Sequence, residues 1–293
     1  MTRNPTLDAL LAWYFVFVWG TGYIATKIGL QHAAPFTFLT LRFSFGLACL
    51  LPVVLFFRTD WPKTPEELGH VVVAGLLMHA VQLGGSHYAQ YLGMSAGVAA
   101  LVISCQPLLT ALFAVNFLNE TLNRRQWTGI GLGLAGVVLV VWHKIDIREV
   151  GAGSLFATLV ALSGVTAATL YQRRFSPRVD LKAAAVVQFA ATVAMLGPLA
   201  VTVEGWKVDW AWQMLAAIAF LVIFASILAV SVLHVLMRHN EATRVTSLLY
   251  LPPVFAVAAE MLVFGVVPSP LAFLGMAVTC LGVGLTAWKS STL

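Results

Sequence analysis

The chain has 293 residues, of which 60% are hydrophobic and only 10% charged, and its mean hydropathy is +0.89. A soluble domain carries about 25% charged residues to keep its surface solvated, so this composition excludes a soluble globular protein, and equally disorder, collagen and a secreted disulfide scaffold. The net charge of +5 does not imply nucleic acid, because no soluble basic face exists to carry it; basic cytoplasmic loops of a bacterial-type membrane protein produce the same balance.

A spanning helix needs roughly 20 apolar residues, and ten such runs, bounded by charge, Pro or Gly, follow one another along the chain. They lie at about 8–28, 36–57, 68–92, 95–118, 127–142, 151–173, 181–203, 210–236, 243–265 and 269–288. The first reads as a span rather than a cleaved signal, since Asp8 sits in it and no small-x-small cleavage site follows. The fifth, Trp127 to Trp142, is short for a span. Cys49, Cys105 and Cys280 fall inside apolar runs without metal-ligand spacing and read as packed thiols; no metal or cofactor is expected.

Basic residues set the orientation. With a cytoplasmic N-terminus, that side collects Arg3, Arg58, Lys63, Arg124, Arg125, Arg173, Arg174, Arg178, Lys182, Arg238, Arg244 and Lys289, against Lys27, Lys144, Arg148 and Lys207 outside. This bias predicts a multi-pass protein of the bacterial inner membrane with both termini in the cytoplasm.

A shift of 146 residues, without gaps, lays the second half of the sequence on the first. Arg42 falls on Gln188, Phe43 on Phe189, Pro52 on Pro198, Pro107 on Pro253, Gly129 on Gly275, Gly136 on Gly282 and Trp142 on Trp288. The expected fold is therefore all-α, ten transmembrane helices arranged as two five-helix repeats, 1–146 and 147–293. Because five is odd, the two copies must cross in opposite senses. Inverted repeats of this kind let secondary transporters alternate between two openings around a midplane site.

Certain residues carry a resemblance. Trp19-Gly20 in the first span, Pro35-Phe36 leading to Leu41-Arg42-Phe43, Pro107 followed by Asn119-Glu120, and the Gly-rich fifth span together resemble the EamA-type transporters of the drug/metabolite transporter superfamily. The resemblance covers essentially the whole chain, although Val266 stands where the second repeat would match Glu120. It implies a central cavity lined mainly by spans one to four and six to nine, and export of amino acids or related small metabolites.

Ionisable groups at bilayer depth are costly, at least about 2.5–3.5 kcal/mol for Arg or Asp. Arg42 lies seven residues inside the second span from Pro35, roughly 10 Å deep at 1.5 Å per residue, and Glu260 lies about as deep in the ninth. They suggest an ion pair: Arg42 to receive a substrate carboxylate and Glu260 to carry a coupling proton, or else a structural pair, or an Arg42 that snorkels. His79, Gln82, Ser86 and Gln90 fall at helical spacing on one face of the third span. His79 could hydrogen-bond a substrate or sense protons, with an unperturbed pKa of about 6.5. His87 and His234 read as structural.

Ser104 and Pro107 in the fourth span correspond to Thr246, Tyr250 and Pro253 in the ninth. Each proline frees a backbone carbonyl, making Pro107 and Pro253 candidate hinges beside a cavity or simple packing kinks. Trp19 and Tyr23 could stack on a substrate or sit in an interfacial belt. The glycines of span five suit close helix packing, within the chain or in a homodimer. No nucleotide motif appears, so a small-molecule carrier driven by a gradient is the leading function. An integral membrane enzyme lacks a polar catalytic cluster, and a channel lacks a filter sequence.

Overall fold

The computed structural model describes residues 5–56, 59–117, 122–146, 150–175, 179–228, 232 and 252–287. Among these the secondary structure is helical, with a single isolated bridge between Ala33 and Val208 and no strand. In chain order the helices are α1 (Pro5–Gly29), α2 (Pro35–Phe56), α3 (Pro65–Tyr91), α4 (Ala96–Ile103 and Gln106–Phe117), α5 (Arg124–Asp146), α6 (Ala152–Phe175), α7 (Leu181–Thr202), α8 (Trp212–Leu228), α9 (Pro252–Phe264) and α10 (Pro270–Ala287). Helices α2, α3, α4, α6 and α7 are long and apolar enough to cross a bilayer, and α8, α9 and most of α10 form shorter apolar helices. Large apolar side chains stand outward, among them Phe56 at 89% exposure and Leu262 at 84%, while Arg42, Gln82, Ser86 and Glu260 are buried. A surface of that kind belongs in lipid.

Helix starts follow local chemistry. The Thr64 hydroxyl accepts from the Glu67 N–H, and the Glu67 carboxylate accepts from the Lys63 N–H, fixing the first turn of α3 around Pro65. Asp180 caps α7 by accepting from the Lys182 N–H at 2.8 Å. Helix α5 is longer than the run 127–142 suggests, because Asn123 and Gln126 exchange hydrogen bonds of 2.9 Å in both directions and start the helix at Arg124. Hydropathy cannot register a turn made of Arg124 and Arg125. Both α3 and α8 widen into π-helical stretches, Leu76–Leu83 and Phe220–Leu228, at nearly equivalent places under the 146-residue shift.

The chain forms two compact units that interleave in sequence. Unit I comprises Met1–Ala25, Gly93–Ala152 and Ile223–Leu293; unit II comprises Thr26–Leu92 and Gly153–Val222.

In unit II, α2 and α7 pack around a core of Leu39, Phe43, Ala80, Phe189 and Leu196. Glu204, beyond the end of α7, meets Phe36 and Thr37 at the start of α2, Thr40 faces Gly197, and Phe43 lies 4.8 Å from Phe189 between ring centroids. Partner numbers fall as α2 ascends, so these two helices run antiparallel.

In unit I the same relation holds for α5 and α10. A Cβ on Gly136 would come within 2.6 Å of the Gly275 carbonyl oxygen, and one on Gly282 within 2.6 Å of the Gly129 oxygen. Gly136 and Gly282 are the pair related by the shift, as are Gly129 and Gly275, so each contact is the mirror of the other. Small residues allow this backbone approach, as expected for the fifth span.

Candidate substrate site

Unit II gathers a polar cluster inside an aromatic frame. Phe43 and Phe189 place their ring centroids 5.0 and 5.2 Å from His79, and the His79 Nε2 lies 3.2 Å from Gln188 Oε1. The Arg42 guanidinium carbon sits 5.7 Å from the Phe43 ring centroid, a cation–π distance. Arg42 and Gln188 are each 9% exposed, so Arg42 is inside the protein and does not snorkel. A fixed cation, an imidazole and an amide beside aromatic faces can together bind a carboxylate-bearing small molecule.

Helix α3 supplies the rest of the expected stripe. Gln82 and Ser86 are buried on it, as is Gln90, whose amide has no hydrogen-bond partner among the described residues. The backbone of α3 can lie near α6 because Gly164 leaves room at Val81 and Gln82. His87 is also buried, and its ring centroid lies 5.9 Å from that of Phe38.

Unit I holds the remaining described candidates. Glu260 is 3% exposed, and both carboxylate oxygens accept from the start of α4: Oε1 from the Ala96 N–H at 3.0 Å and Oε2 from the Gly97 N–H at 2.9 Å. An anion there complements the helix dipole and satisfies two orphan donors. A void of about 30 Å³, the size of one water, abuts Glu260 between Ser95, Gly97 and Val257. Arg42 and Glu260 thus belong to different units, and the structure gives Glu260 a capping role that spacing did not anticipate.

Helix α4 breaks at Ser104–Cys105, immediately before Pro107, and the Ser104 hydroxyl donates to the Leu101 carbonyl at 2.6 Å. Pro253 lies in the first turn of α9 as described. Trp19 is 38% exposed and packs 5.0 Å from Phe15, and Tyr23 is half-buried. Gly20 lets α1 meet α9, since a Cβ there would fall 2.7 Å from the Pro252 oxygen. Thr246 and Tyr250 lie outside the described residues, as do Asn119, Glu120 and His234.

Spacing left Gln188, Phe189 and Glu204 without roles. Gln188 was within reach of it as the repeat counterpart of buried Arg42. Glu204, by contrast, follows the apolar end of α7 like any loop acid, yet it accepts from the Phe36 and Thr37 N–H groups and from the Thr37 hydroxyl, at 2.9, 2.7 and 2.7 Å.

Among the described residues, helices with outward apolar side chains and buried polar groups mark an integral membrane protein. The sequence model of the EamA-like transporter family matches it twice, over residues 7–142 and 151–288, and the chain belongs to that family, within the drug/metabolite transporter superfamily. It is 27% identical over 287 residues to the uncharacterized inner membrane transporter YedA of Escherichia coli, covering 96% of this chain and 90% of that protein. It is also 27% identical over 271 residues to a protein of Salmonella typhimurium called a probable amino-acid metabolite efflux pump, covering 88% and 87%. A solved crystal structure aligns with it at a TM-score of 0.63 and 20% identity, covering 96% of both chains, which establishes likeness of fold. The chain is accordingly a membrane transporter, of a family and with relatives that indicate transport and not catalysis.

Proposed function

We propose that the protein is a secondary active exporter of amino acids or related small metabolites, working by alternating access in a bacterial inner membrane. The observation that carries this reading is the convergence of Arg42, His79 and Gln188 in the Phe43–Phe189 frame. Arg42 receives the substrate carboxylate, and His79 with Gln188 supplies directional hydrogen bonds. Gln82 and Ser86 extend the polar surface along α3, and Trp19, Tyr23, Ser104, Thr246 and Tyr250 are further binding residues by their places in the sequence. Pro107 and Pro253 act as hinges; the break in α4 beside Pro107 supports the first.

Two inverted five-helix repeats, 1–146 and 147–293, give ten spans and the two alternating openings. Support comes from the antiparallel pairing of shift-related helices, the reciprocal glycine contacts of α5 and α10, and the double family match. Glu260 carries the coupling proton. Neutralising its carboxylate removes a charge-assisted cap from α4, so proton occupancy and the position of that helix are linked.

The test is counterflow of labelled amino acids in proteoliposomes. The wild-type protein should exchange them saturably, and Arg42→Gln and Gln188→Leu should each lower the rate about tenfold or more, as expected for loss of charge-assisted contacts, while migrating as monodisperse species. Full exchange by both variants would remove this cluster from the binding site. Both termini are assigned to the cytoplasm, so a reporter enzyme active only in the periplasm should be inactive when fused after Leu293. Strong reporter activity would reverse the assignment.

A further inference from the structure

A larger cavity, of about 670 Å³, opens at the loop end of unit II, away from the Arg42 cluster. Its size is that of a small-molecule pocket, typically about 300–1,000 Å³. One wall is aromatic: Phe36 and Tyr88 stack with centroids 6.1 Å apart and planes inclined by 17°, and Tyr91 follows 6.2 Å from Tyr88. Tyr88 and Tyr91 are 40% and 52% exposed, so their faces are accessible to a ligand. Two charged residues, Glu204 and Lys207, also line it, with Glu204 beside Phe36, whose N–H it accepts at 2.9 Å.

This mouth is built. The loop after α7 is clipped to the loop before α2 by the Ala33–Val208 bridge, by the Asp209 N–H donating to the His32 carbonyl at 2.8 Å, and by the His32 Nδ1–Asp209 Oδ2 contact at 2.8 Å. Glu204 is held by its three hydrogen bonds at the start of α2, while Lys207 makes no ion pair among the described residues. Neither sign of charge therefore dominates. A simple anion drawn to Lys207 meets Glu204, and a simple cation drawn to Glu204 and the tyrosine faces meets Lys207.

We propose that this cavity is a second substrate site, which holds a zwitterion bearing an apolar or aromatic side chain. Its carboxylate rests on Lys207, its ammonium lies between Glu204 and the tyrosine rings, and its side chain covers the Phe36–Tyr88 stack. The proposal rests on the reading of the chain as a carrier of amino-acid-like solutes and adds a site distinct from Arg42. With the orientation given above, the cavity faces outward and lies where an exporter releases its cargo.

The test uses the purified full chain with Arg42→Gln as background, so that binding at the inner cluster is disabled. Equilibrium titrations follow L-phenylalanine, 2-phenylethylamine and 3-phenylpropionate, with the fluorescence of Trp206, the neighbour of Lys207, contributing to the signal. L-Phenylalanine should bind about tenfold more tightly than either single-charge probe, as expected for one lost charge-assisted contact. Adding Lys207→Gln should weaken L-phenylalanine about tenfold and leave 2-phenylethylamine unchanged, and adding Tyr88→Leu should weaken all three probes. Equal binding of the three probes, or L-phenylalanine binding that neither variant alters, overturns the site. Wild-type counterflow without any binding in the Arg42→Gln background overturns this site and leaves the transport reading standing. Binding without counterflow supports the site and removes the transport reading.

Discussion

Glu260→Ala is expected to lower the thermal stability of the purified protein sharply, by about 3 kcal/mol, because two buried backbone donors lose their acceptor at once. The Ala96 and Gly97 N–H groups open α4, and their partners are the two oxygens of one carboxylate. Of the other cap groups at this terminus, the Ser95 hydroxyl accepts from the Val98 N–H at 3.3 Å and reaches neither donor. Glu260→Gln keeps one acceptor oxygen and turns the other into a donor facing a donor, so it should fall between wild type and alanine. Melting curves read by fluorescence-detected size exclusion will order the three proteins. Glu260→Gln should also abolish the response of transport to an imposed pH gradient. A stability loss with unchanged gradient dependence would confine Glu260 to the cap and exclude it as the coupling group.

The second large effect is expected at the glycine seam of unit I. Gly136→Leu and Gly282→Leu each place a side chain where the facing backbone lies within 2.6 Å of a Cβ. A flexible side chain could give way; a carbonyl on a packed helix cannot do so without moving the helix. Overpacking typically costs about 1–3 kcal/mol, and these sites should reach or exceed the upper figure. Because the two glycines are repeat counterparts, and so are the residues they face, Gly275 and Gly129, the two variants should suffer alike, each losing most of its correctly folded yield. The control is Gly131→Leu, on the same helix with open space around it, which should behave as wild type. Tolerance at Gly282 alone would show that the reciprocity of the seam is not carried by packing.

Much of the fold was legible in the sequence because lipid enforces it. Apolar runs could only be helices that satisfy their own backbone groups, and each described helix overlaps one of those runs. The 146-residue shift likewise paired Phe43 with Phe189, whose rings do meet. What periodicity could not supply was the partner of each polar group. His79 was visible as a midplane imidazole, but its bond to Gln188 depends on how α3 and α7 pack. Glu260 was visible as a buried acid, and matching depth suggested Arg42. Two partners that spacing could not show are the Ala96 and Gly97 main-chain donors, which every residue type carries, so no residue pattern marks them. Glu204 escaped notice for the same reason.

The interleaving of the units bears on biosynthesis. Unit II needs Thr26–Leu92 from early in the chain and Gly153–Val222 from late in it. As the ribosome delivers the protein, α2 and α3 enter the bilayer well before α6 and α7 exist to cover Phe43, His79 and Arg42. During that interval a buried cation and a polar helix face must wait among lipids or insertion machinery. Unit I closes later still, since α5 meets α10 only after α10 itself is made. Neither unit is therefore made by one continuous stretch, and each closes only after segments far apart in sequence have all been synthesised.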